Sequence, residues 1–201
     1  MIQPDMNSVK ALSEGYDIVP VQEEIYADVT TPILLLRRIA SSRKNYFLLE
    51  SIEGGEKWGR YSFLGYDPVM RVTCREDEIT IQEQDQSQVI RGEDPFQVLR
   101  DILKNHKAPK VEGMPPFAGG FVGYFAYAMI AHAEPKLKIR RGDFADYDLM
   151  LFDKVIAYDH FRQKICLIVN MKTDKVMENY GKATADLAAM AAILREAYPL
   201  D

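Results

Sequence analysis

The sequence has few of the residues that hold metals or form disulfides. Two cysteines and three histidines are spread over 201 residues, and the cysteines, Cys74 and Cys166, form no CxxC pair. This spacing predicts two reduced, partly buried thiols and indicates neither a zinc site nor a redox pair. His106, His132 and His160 form no HxxxH or HxH pair, so we expect solvent-exposed histidines and no bound metal.

Several motifs of catalytic and cofactor sites are also missing. No serine lies in a GxSxG context, which argues against a hydrolase elbow. Gly119, Gly120 and Gly123 match neither GxGxxG nor a Walker loop, and we expect them to serve close backbone packing beside the neighbouring aromatic residues. Acidic pairs such as Glu23 and Glu24 are adjacent, so in a strand they point to opposite faces and do not form a cooperating dyad.

Excess positive charge and long apolar runs are absent as well. The net charge is -5 and the sequence pI is about 5.3, which argues against a nucleic-acid partner. No apolar stretch is long enough to predict a membrane span, and residues 1–10 do not resemble a signal peptide. With 47% hydrophobic and 27% charged residues, the composition is typical of a folded protein, which we expect to be cytoplasmic.

The pattern of apolar residues predicts an α+β fold, with a mainly antiparallel β-sheet layered against a few helices. Short strands joined by tight turns favour antiparallel pairing, and Pro20 predicts an edge strand over residues 16–26. Thr31 before Pro32 and Asp94 before Pro95 predict helix starts. The other predicted strands are Tyr46–Ser51, Tyr61–Tyr66, Val69–Arg75, Ile79–Glu83, Gln88–Arg91, Leu149–Tyr158 and Lys164–Asn170, and a long helix is predicted over Lys175–Tyr198.

One strand combines apolar and polar residues in a way that favours ligand binding. The run Tyr46–Ser51 predicts a buried strand that ends in Glu50 and Ser51, followed by a glycine-rich loop and then Arg60. A carboxylate can bind an ammonium group, while hydroxyl and backbone donors can bind a carboxylate, so this arrangement suits a small zwitterion. On these residues alone, a ligand site and a purely structural turn are equally supported.

Four segments in order resemble one protein family. They are Phe-Leu-Leu-Glu-Ser at 47–51, Arg-Tyr-Ser-Phe-Leu-Gly at 60–65, Gly-Gly-Phe-Val-Gly-Tyr-Phe-Ala-Tyr at 119–127, and the hairpin over residues 153–170. Together they resemble the N-terminal region of the anthranilate synthase component I family, which also includes aminodeoxychorismate synthase component I. The segment after Tyr127 departs from the family, because an acidic residue and an arginine are replaced by apolar residues.

The resemblance implies that residues 1–201 form a single N-terminal domain with a feedback site for the inhibitor L-tryptophan. In the family, this site includes the Leu-Leu-Glu-Ser segment. The implied tryptophan-binding residues are Ser51, Glu50, Leu49, Arg60, Tyr61 and Ser62. A Ser51→Phe change in the complete enzyme is expected to fill the site and to relieve inhibition.

The resemblance also implies a role in a larger lyase, which makes anthranilate and pyruvate from chorismate and glutamine or ammonia in tryptophan biosynthesis. The family's catalytic residues, its chorismate site and its Mg²⁺ lie in a C-terminal domain beyond these 201 residues. We therefore expect this segment alone to be inactive and to hold no cofactor. The implied partners are that C-terminal domain and a glutamine amidotransferase subunit, component II.

Three other functions are compatible with the sequence. The chain could be the corresponding region of aminodeoxychorismate synthase component I, which acts in the 4-aminobenzoate and folate pathway. It could instead be a free-standing small-molecule-binding module, or a scaffold in which Glu50 and Ser51 only cap a turn. The product made by the complete protein separates the two enzymes, and an open or filled strand end separates a binding site from a scaffold.

Overall fold

The structure is a computed structural model that describes residues 1–28, 30–50, 59–134, 136–137, 139 and 142–195. The chain folds into two compact units. The first unit comprises Met1–Asp67, Lys107–Gly119 and Asp153–Asp201, and the second comprises Pro68–His106 and Gly120–Phe152. The prediction that residues 1–201 form a single N-terminal domain stays a prediction.

Strands and helices alternate irregularly along the chain. The strands are β1 (Ile2–Gln3), β2 (Ile18–Tyr26), β3 (Tyr46–Leu49), β4 (Tyr61–Tyr66), β5 (Met70–Arg75), β6 (Glu78–Glu83), β7 (Gln86–Arg91), β8 (Gly120–Phe125), β9 (Tyr147–Phe152), β10 (Lys154–Asp159) and β11 (Lys164–Lys172). The helices are α1 (Met6–Ser13), α2 (Pro32–Ser42), α3 (Pro95–Lys104), α4 (Ile130–Ala133) and α5 (Val176–Arg195), and a short 3-10 helix spans Tyr127–Met129.

The first unit is built on an antiparallel sheet in the order β1-β2-β11-β10-β4-β3. Helices α1, α2 and α5 pack against one face of this sheet and bury its main apolar core. Full burial of one such Leu or Ile side chain stabilises the fold by about 1.5–3 kcal/mol. The largest fully buried side chains in this core are Leu35, Ile39, Leu64, Ile156, Ile165, Leu167, Leu187 and Met190.

The opposite face of the same sheet is covered in part by the segment 107–119. Met114 and Ala118 of this segment pack against a small cluster that includes Cys166 and Ile168. The Asn170 side chain holds the segment in place, because its Nδ2 donates a 2.6 Å hydrogen bond to the Ala118 carbonyl. This second face also carries the predicted site residues Leu49 and Tyr61.

The second unit contains an antiparallel sheet in the order β7-β6-β5-β9-β8. Helix α3 packs on it through Val98 and Leu99. The helix begins where the sequence predicts, since Asp94 Oδ1 accepts a 3.0 Å hydrogen bond from the Phe96 N–H and Pro95 occupies the first turn. At Gly123, a Cβ would overlap the Asp148 carbonyl, so this glycine permits close pairing of β8 with β9, as expected.

The α+β prediction is confirmed by the two antiparallel sheets and their helices. The predicted strand Leu149–Tyr158 is wrong, however. Strand β9 ends at Phe152 and pairs in the second-unit sheet, whereas β10 begins at Lys154 and pairs in the first-unit sheet. Both strands are largely buried, so residues 149–158 form one apolar run that only Asp153 and Lys154 interrupt.

Two further strand predictions need correction. Strand β3 is an edge strand, not a buried one, and its Tyr46 and Leu49 are exposed. Strand β2 lies second in its sheet, although its neighbour β1 pairs only with Gln22 and Glu23 and therefore leaves the Pro20 position unpaired on that side. Of the helices in the described residues, none combines the length and the apolar character that a membrane crossing requires.

Candidate functional site

The predicted ligand-binding strand end lies at the edge of the first-unit sheet. Leu49 is the last residue of β3 and has 46% of its surface exposed, and Glu50 follows it as an exposed residue. Ser51 and the glycine-rich loop after it lie outside the described residues. The described part of the site is therefore formed by the end of β3 and the start of β4.

The predicted site residues of β4 divide between the two faces of the sheet. Leu49 lies directly opposite Phe63 in the β3–β4 ladder, and Tyr61, two residues before Phe63, is on the same face. Ser62 points to the other face, where it lies opposite Tyr158, a member of the main core. The structure thus brings Leu49 and Tyr61 together and separates both from Ser62.

Aromatic side chains line the face of the sheet that carries Leu49. The Tyr61 and Phe63 rings stack with their centroids 5.7 Å apart, and Phe117 meets Phe63 edge-on at 5.5 Å. Phe47 also packs edge-on against Phe117. The Phe47 ring lies over Gly65, where a Cβ would overlap it. Stacked and edge-on aromatic pairs of this kind form a rigid apolar surface that suits another flat ring.

Arg60 does not point freely into this surface, because it is paired with Asp159. Its Nη2 donates a 2.6 Å hydrogen bond to Asp159 Oδ2, and its Nε lies 3.1 Å from both carboxylate oxygens. The guanidinium carbon lies 4.9 Å from the centre of the Tyr61 ring. Arg60 therefore fixes the position of Tyr61 through a cation–π contact while its own charge is balanced.

Asp159 is nearly fully buried at the end of β10. Burial disfavours its charge, but hydrogen bonds from Arg60 and from the backbone N–H of Arg162 and Phe161 outweigh burial and lower the pKa of the carboxyl. Burial, reinforced by the Asp159 charge, raises the pKa of the Tyr61 phenol. The site thus presents a neutral phenol beside an ionised, fully paired carboxylate.

Ser62 takes part in a separate hydrogen-bonded group on the helix-covered face. It is 0% exposed, and its Oγ lies 2.7 Å from His160 Nε2. The His160 ring in turn lies 4.8 Å from that of Tyr158, whose hydroxyl donates to the Thr30 carbonyl. Ser62 therefore anchors β4 to the β10–β11 turn.

The expectation of solvent-exposed histidines is wrong. All three are half-buried, and each has a hydrogen-bond partner: His160 with Ser62, His132 with Asp146 at 2.9 Å, and His106 with the Ile102 carbonyl at 2.8 Å. His132 and Asp146 are 14 positions apart in the sequence, and His160 and Ser62 are 98 positions apart. Local sequence patterns therefore could not predict these two hydrogen bonds.

The sequence did not predict a polar cavity that lies on the first-unit sheet. It has a volume of about 260 Å³ and is lined mainly by Gln22, Glu24, Tyr26 and Lys164. Lys164 and Glu24 form a 2.6 Å ion pair, so the charges lining the cavity are largely balanced. The sequence signal for this cavity was the alternation of residues in β2, which places the polar side chains of Gln22 and Glu24 on one face of the strand.

Comparisons with known proteins show what the chain as a whole resembles. The chain is 38% identical over 180 residues to anthranilate synthase component 1 of Acetivibrio thermocellus, a match that covers 89% of this chain and 36% of that protein. It is 32% identical over 181 residues to the protein of the same name from Aquifex aeolicus, covering 89% of this chain and 37% of that protein. No protein-family model matches the chain.

A solved structure shares the fold. The crystal structure of anthranilate synthase component I from Streptococcus pneumoniae superposes with a TM-score of 0.58 at 26% sequence identity, covering 88% of this chain and 38% of that one. The chain is thus an α+β protein of the kind present in a biosynthetic enzyme. Its predicted relationship to anthranilate synthase component I is confirmed, and the chain spans somewhat more than a third of the length of these relatives.

Proposed function

We propose that this chain provides the feedback site of an anthranilate synthase component I and that its ligand is L-tryptophan. The observation that carries the proposal is the exposed surface at the end of β3, where Leu49 and Tyr61 share one face of the sheet. An indole ring placed on this surface would contact apolar and aromatic side chains, and Glu50 next to it would bind the ammonium group.

The proposal gives the predicted site residues different roles. Leu49, Tyr61 and Glu50 contact the ligand, and Ser51 binds its carboxylate as the family resemblance implies. Arg60 positions Tyr61, because its guanidinium is held by Asp159. Ser62 acts through the strand, since its hydroxyl is buried against His160 on the opposite face.

The rest of the proposed enzyme lies outside this chain. We propose that chorismate, Mg²⁺ and catalysis belong to a C-terminal domain and that a glutamine amidotransferase subunit supplies ammonia. The matched parts make up only 36% and 37% of the relatives from Acetivibrio thermocellus and Aquifex aeolicus, which supports this division. Tryptophan bound at β3 would then inhibit by favouring an arrangement with lower affinity for chorismate.

A titration with isotope-labelled protein tests the proposed site. L-Tryptophan added to the ¹⁵N-labelled chain up to millimolar concentration is expected to shift the amide resonances of β3 and the start of β4. Weak binding is expected, because in the family the C-terminal domain completes the pocket. Leu49→Ala should reduce the shifts several-fold, whereas Leu103→Ala, which truncates an equally exposed leucine of the second unit, should not.

Two results would contradict the proposal. One is the absence of any shift in β3 and β4 at millimolar L-tryptophan, and the other is equal binding by the Leu49→Ala variant. The proposed division of the enzyme has its own test. The chain mixed with chorismate, Mg²⁺ and ammonia should form no fluorescent anthranilate, and enzyme-like production of anthranilate would show that catalysis resides in these residues.

A further inference from the structure

The second unit brings together three side chains that commonly bind metals. Cys74 lies in β5, His132 lies in α4, and Asp146 immediately precedes β9. Their ligand atoms, which are one sulfur, one imidazole nitrogen and one carboxylate oxygen, all lie within 4.8 Å of one another. Cys74 and Asp146 are buried and His132 is half-buried, so the group lies just below the surface of the unit.

The backbone fixes two of these residues next to each other. The Asp146 N–H donates a 2.7 Å hydrogen bond to the Cys74 carbonyl at the end of the β5–β9 ladder. The Glu76 N–H donates to Asp146 Oδ2 at 3.1 Å, and His132 Nε2 lies 2.9 Å from the same oxygen. The Asp146 carboxylate is therefore oriented by the chain itself, as the carboxylate ligands of metal sites usually are.

We propose that Cys74, His132 and Asp146 bind a zinc ion through Sγ, Nε2 and Oδ2. In a tetrahedral zinc site with bonds of about 2.0–2.3 Å, ligand atoms lie about 3.3–3.8 Å apart. The observed separations, at most 4.8 Å overall and 2.9 Å between His132 and Asp146, reach this range if the sulfur approaches by up to about an ångström and the His132–Asp146 pair opens by a few tenths of one. A thiolate with an imidazole selects zinc over Mg²⁺ or Ca²⁺, which prefer oxygen ligands.

The surroundings provide an entry path for a cation. A cavity of about 520 Å³ borders the group and is lined by His132, Gly92 and the acidic residues Glu76, Asp77 and Glu93. Carboxylates along a cleft raise the local concentration of cations. With three protein ligands, the fourth coordination position would face this cavity and take a water molecule, as in zinc sites with an open position.

The proposal departs from the sequence-based expectation of no metal, and the reason lies in the spacing. Cys74 is separated by more than fifty residues from the other two ligands, so no local motif joins them. The competing explanation is a metal-free His132–Asp146 hydrogen bond beside a buried thiol of the β5 core. The two explanations differ in whether the thiol is a ligand.

Cobalt provides a direct readout of a thiolate ligand, because Co²⁺ replaces zinc and its bond to a thiolate absorbs in the near ultraviolet. Titration of the reduced, metal-free chain with Co²⁺ should produce this charge-transfer band with one equivalent, and added Zn²⁺ should abolish it. Cys74→Ser should remove the band. His132→Gln should weaken Co²⁺ binding by about tenfold or more.

Matched controls come from the rest of the chain. Cys166→Ser removes the other buried thiol and His106→Gln removes another half-buried histidine, and both variants should keep the band. Circular dichroism shows whether each variant is folded, and His132→Gln provides the test if Cys74→Ser fails to fold. Absence of the band in the wild-type chain, its survival in Cys74→Ser, or full-strength binding by His132→Gln would overturn the proposal.

Discussion

Arg60 and Asp159 form a two-pronged ion pair across neighbouring strands, with a shortest distance of 2.6 Å between Nη2 and Oδ2. The same carboxylate accepts hydrogen bonds from two N–H groups of the β10–β11 turn. Asp159→Asn removes the charge and one arm of the pair, and we expect it to lower the free energy of unfolding by about 1–3 kcal/mol. Urea unfolding followed by circular dichroism measures this loss.

The matched control is the pair between Arg43 and Asp67, whose side chains are both roughly half exposed and whose closest atoms are 3.2 Å apart. Asp67→Asn should change the unfolding free energy by less than about 1 kcal/mol, because water screens exposed pairs. Equal losses of unfolding free energy in the two variants would show that the Arg60–Asp159 pair stabilises the fold no more than an exposed ion pair does.

Acid should weaken the first unit through the same carboxylate. The pKa of Asp159 is lower in the folded chain than the value of about 3.9 expected when unfolded. Its contribution to stability is therefore complete above that unfolded pKa and is lost as the pH falls through the depressed folded pKa. Unfolding measured from pH 6 down to pH 2 should show a shallower acid loss for Asp159→Asn than for the wild type. Parallel curves would contradict this assignment.

Asp153, which separates β9 from β10, has the opposite effect on stability. Burial raises the pKa of its carboxyl. Its Oδ1 is buried with no hydrogen-bond partner among the described residues, and Lys154 Nζ lies 3.9 Å from it. Since the ionised form is disfavoured in the fold, Asp153→Asn should increase the unfolding free energy at pH 7. The gain should shrink as the pH falls through the raised pKa and disappear below about 3.9, where the folded and unfolded carboxyls are both protonated.

The exposed Asp85 provides the control for this measurement. Asp85→Asn changes the same charge in the turn between β6 and β7, and it should leave the stability nearly unchanged between pH 7 and pH 4. A loss of stability in Asp153→Asn at pH 7, or a gain that is constant with pH, would mean that attraction to Lys154 outweighs the cost of burying the Asp153 carboxylate.

Gly65 allows the Phe47 ring to lie across β4. Because a Cβ at this position would overlap the ring, Gly65→Ala should destabilise the chain by about 1–3 kcal/mol through overpacking. Adding Phe47→Leu should recover part of that loss if the clash is the cause. At Gly15 a Cβ meets no atom within 4 Å, so Gly15→Ala should be close to neutral. Thermal melts of the four proteins provide the comparison.

Local chemistry made part of the fold predictable. The Thr31 hydroxyl caps α2 by accepting from the Leu34 N–H, and Asp94 caps α3 in the same way, so these starts could be placed from the sequence. The division of residues 147–159 between two sheets depends on which distant strands each half pairs with. No local pattern encodes that choice, because both halves are apolar and strand-forming.

The candidate site was predictable to a similar degree. Strand β3 was predicted from its apolar run, although it ends at Leu49 and Glu50 follows it. The separation of Tyr61 from Ser62 follows from the two-residue period of a strand. The pairing of Arg60 with Asp159 could not be predicted, since the two residues are 99 positions apart in the sequence. The hydrogen bond between Ser62 and His160 could not be predicted for the same reason, since they are 98 positions apart.

Glu50 provides the sharpest test of the ligand's chemistry. If its exposed carboxylate binds the ammonium group, Glu50→Gln should weaken L-tryptophan binding by about fivefold, the scale of a solvent-exposed ion pair. Indole-3-propionate lacks the ammonium group, so its weaker binding should be unchanged by the same substitution. Titrations of both ligands, followed by the amide resonances of β3 and β4, give the two ratios.

Glu14→Gln serves as the matched control, because Glu14 is an exposed glutamate just after α1. This variant has the same net charge as Glu50→Gln, and it should bind both ligands as the wild type does. An equal loss for the two ligands in Glu50→Gln would place the carboxylate near the indole N–H, which both ligands share, instead. If Glu14→Gln weakened L-tryptophan binding as much as Glu50→Gln does, the effect would come from the overall charge of the chain and not from a contact with Glu50.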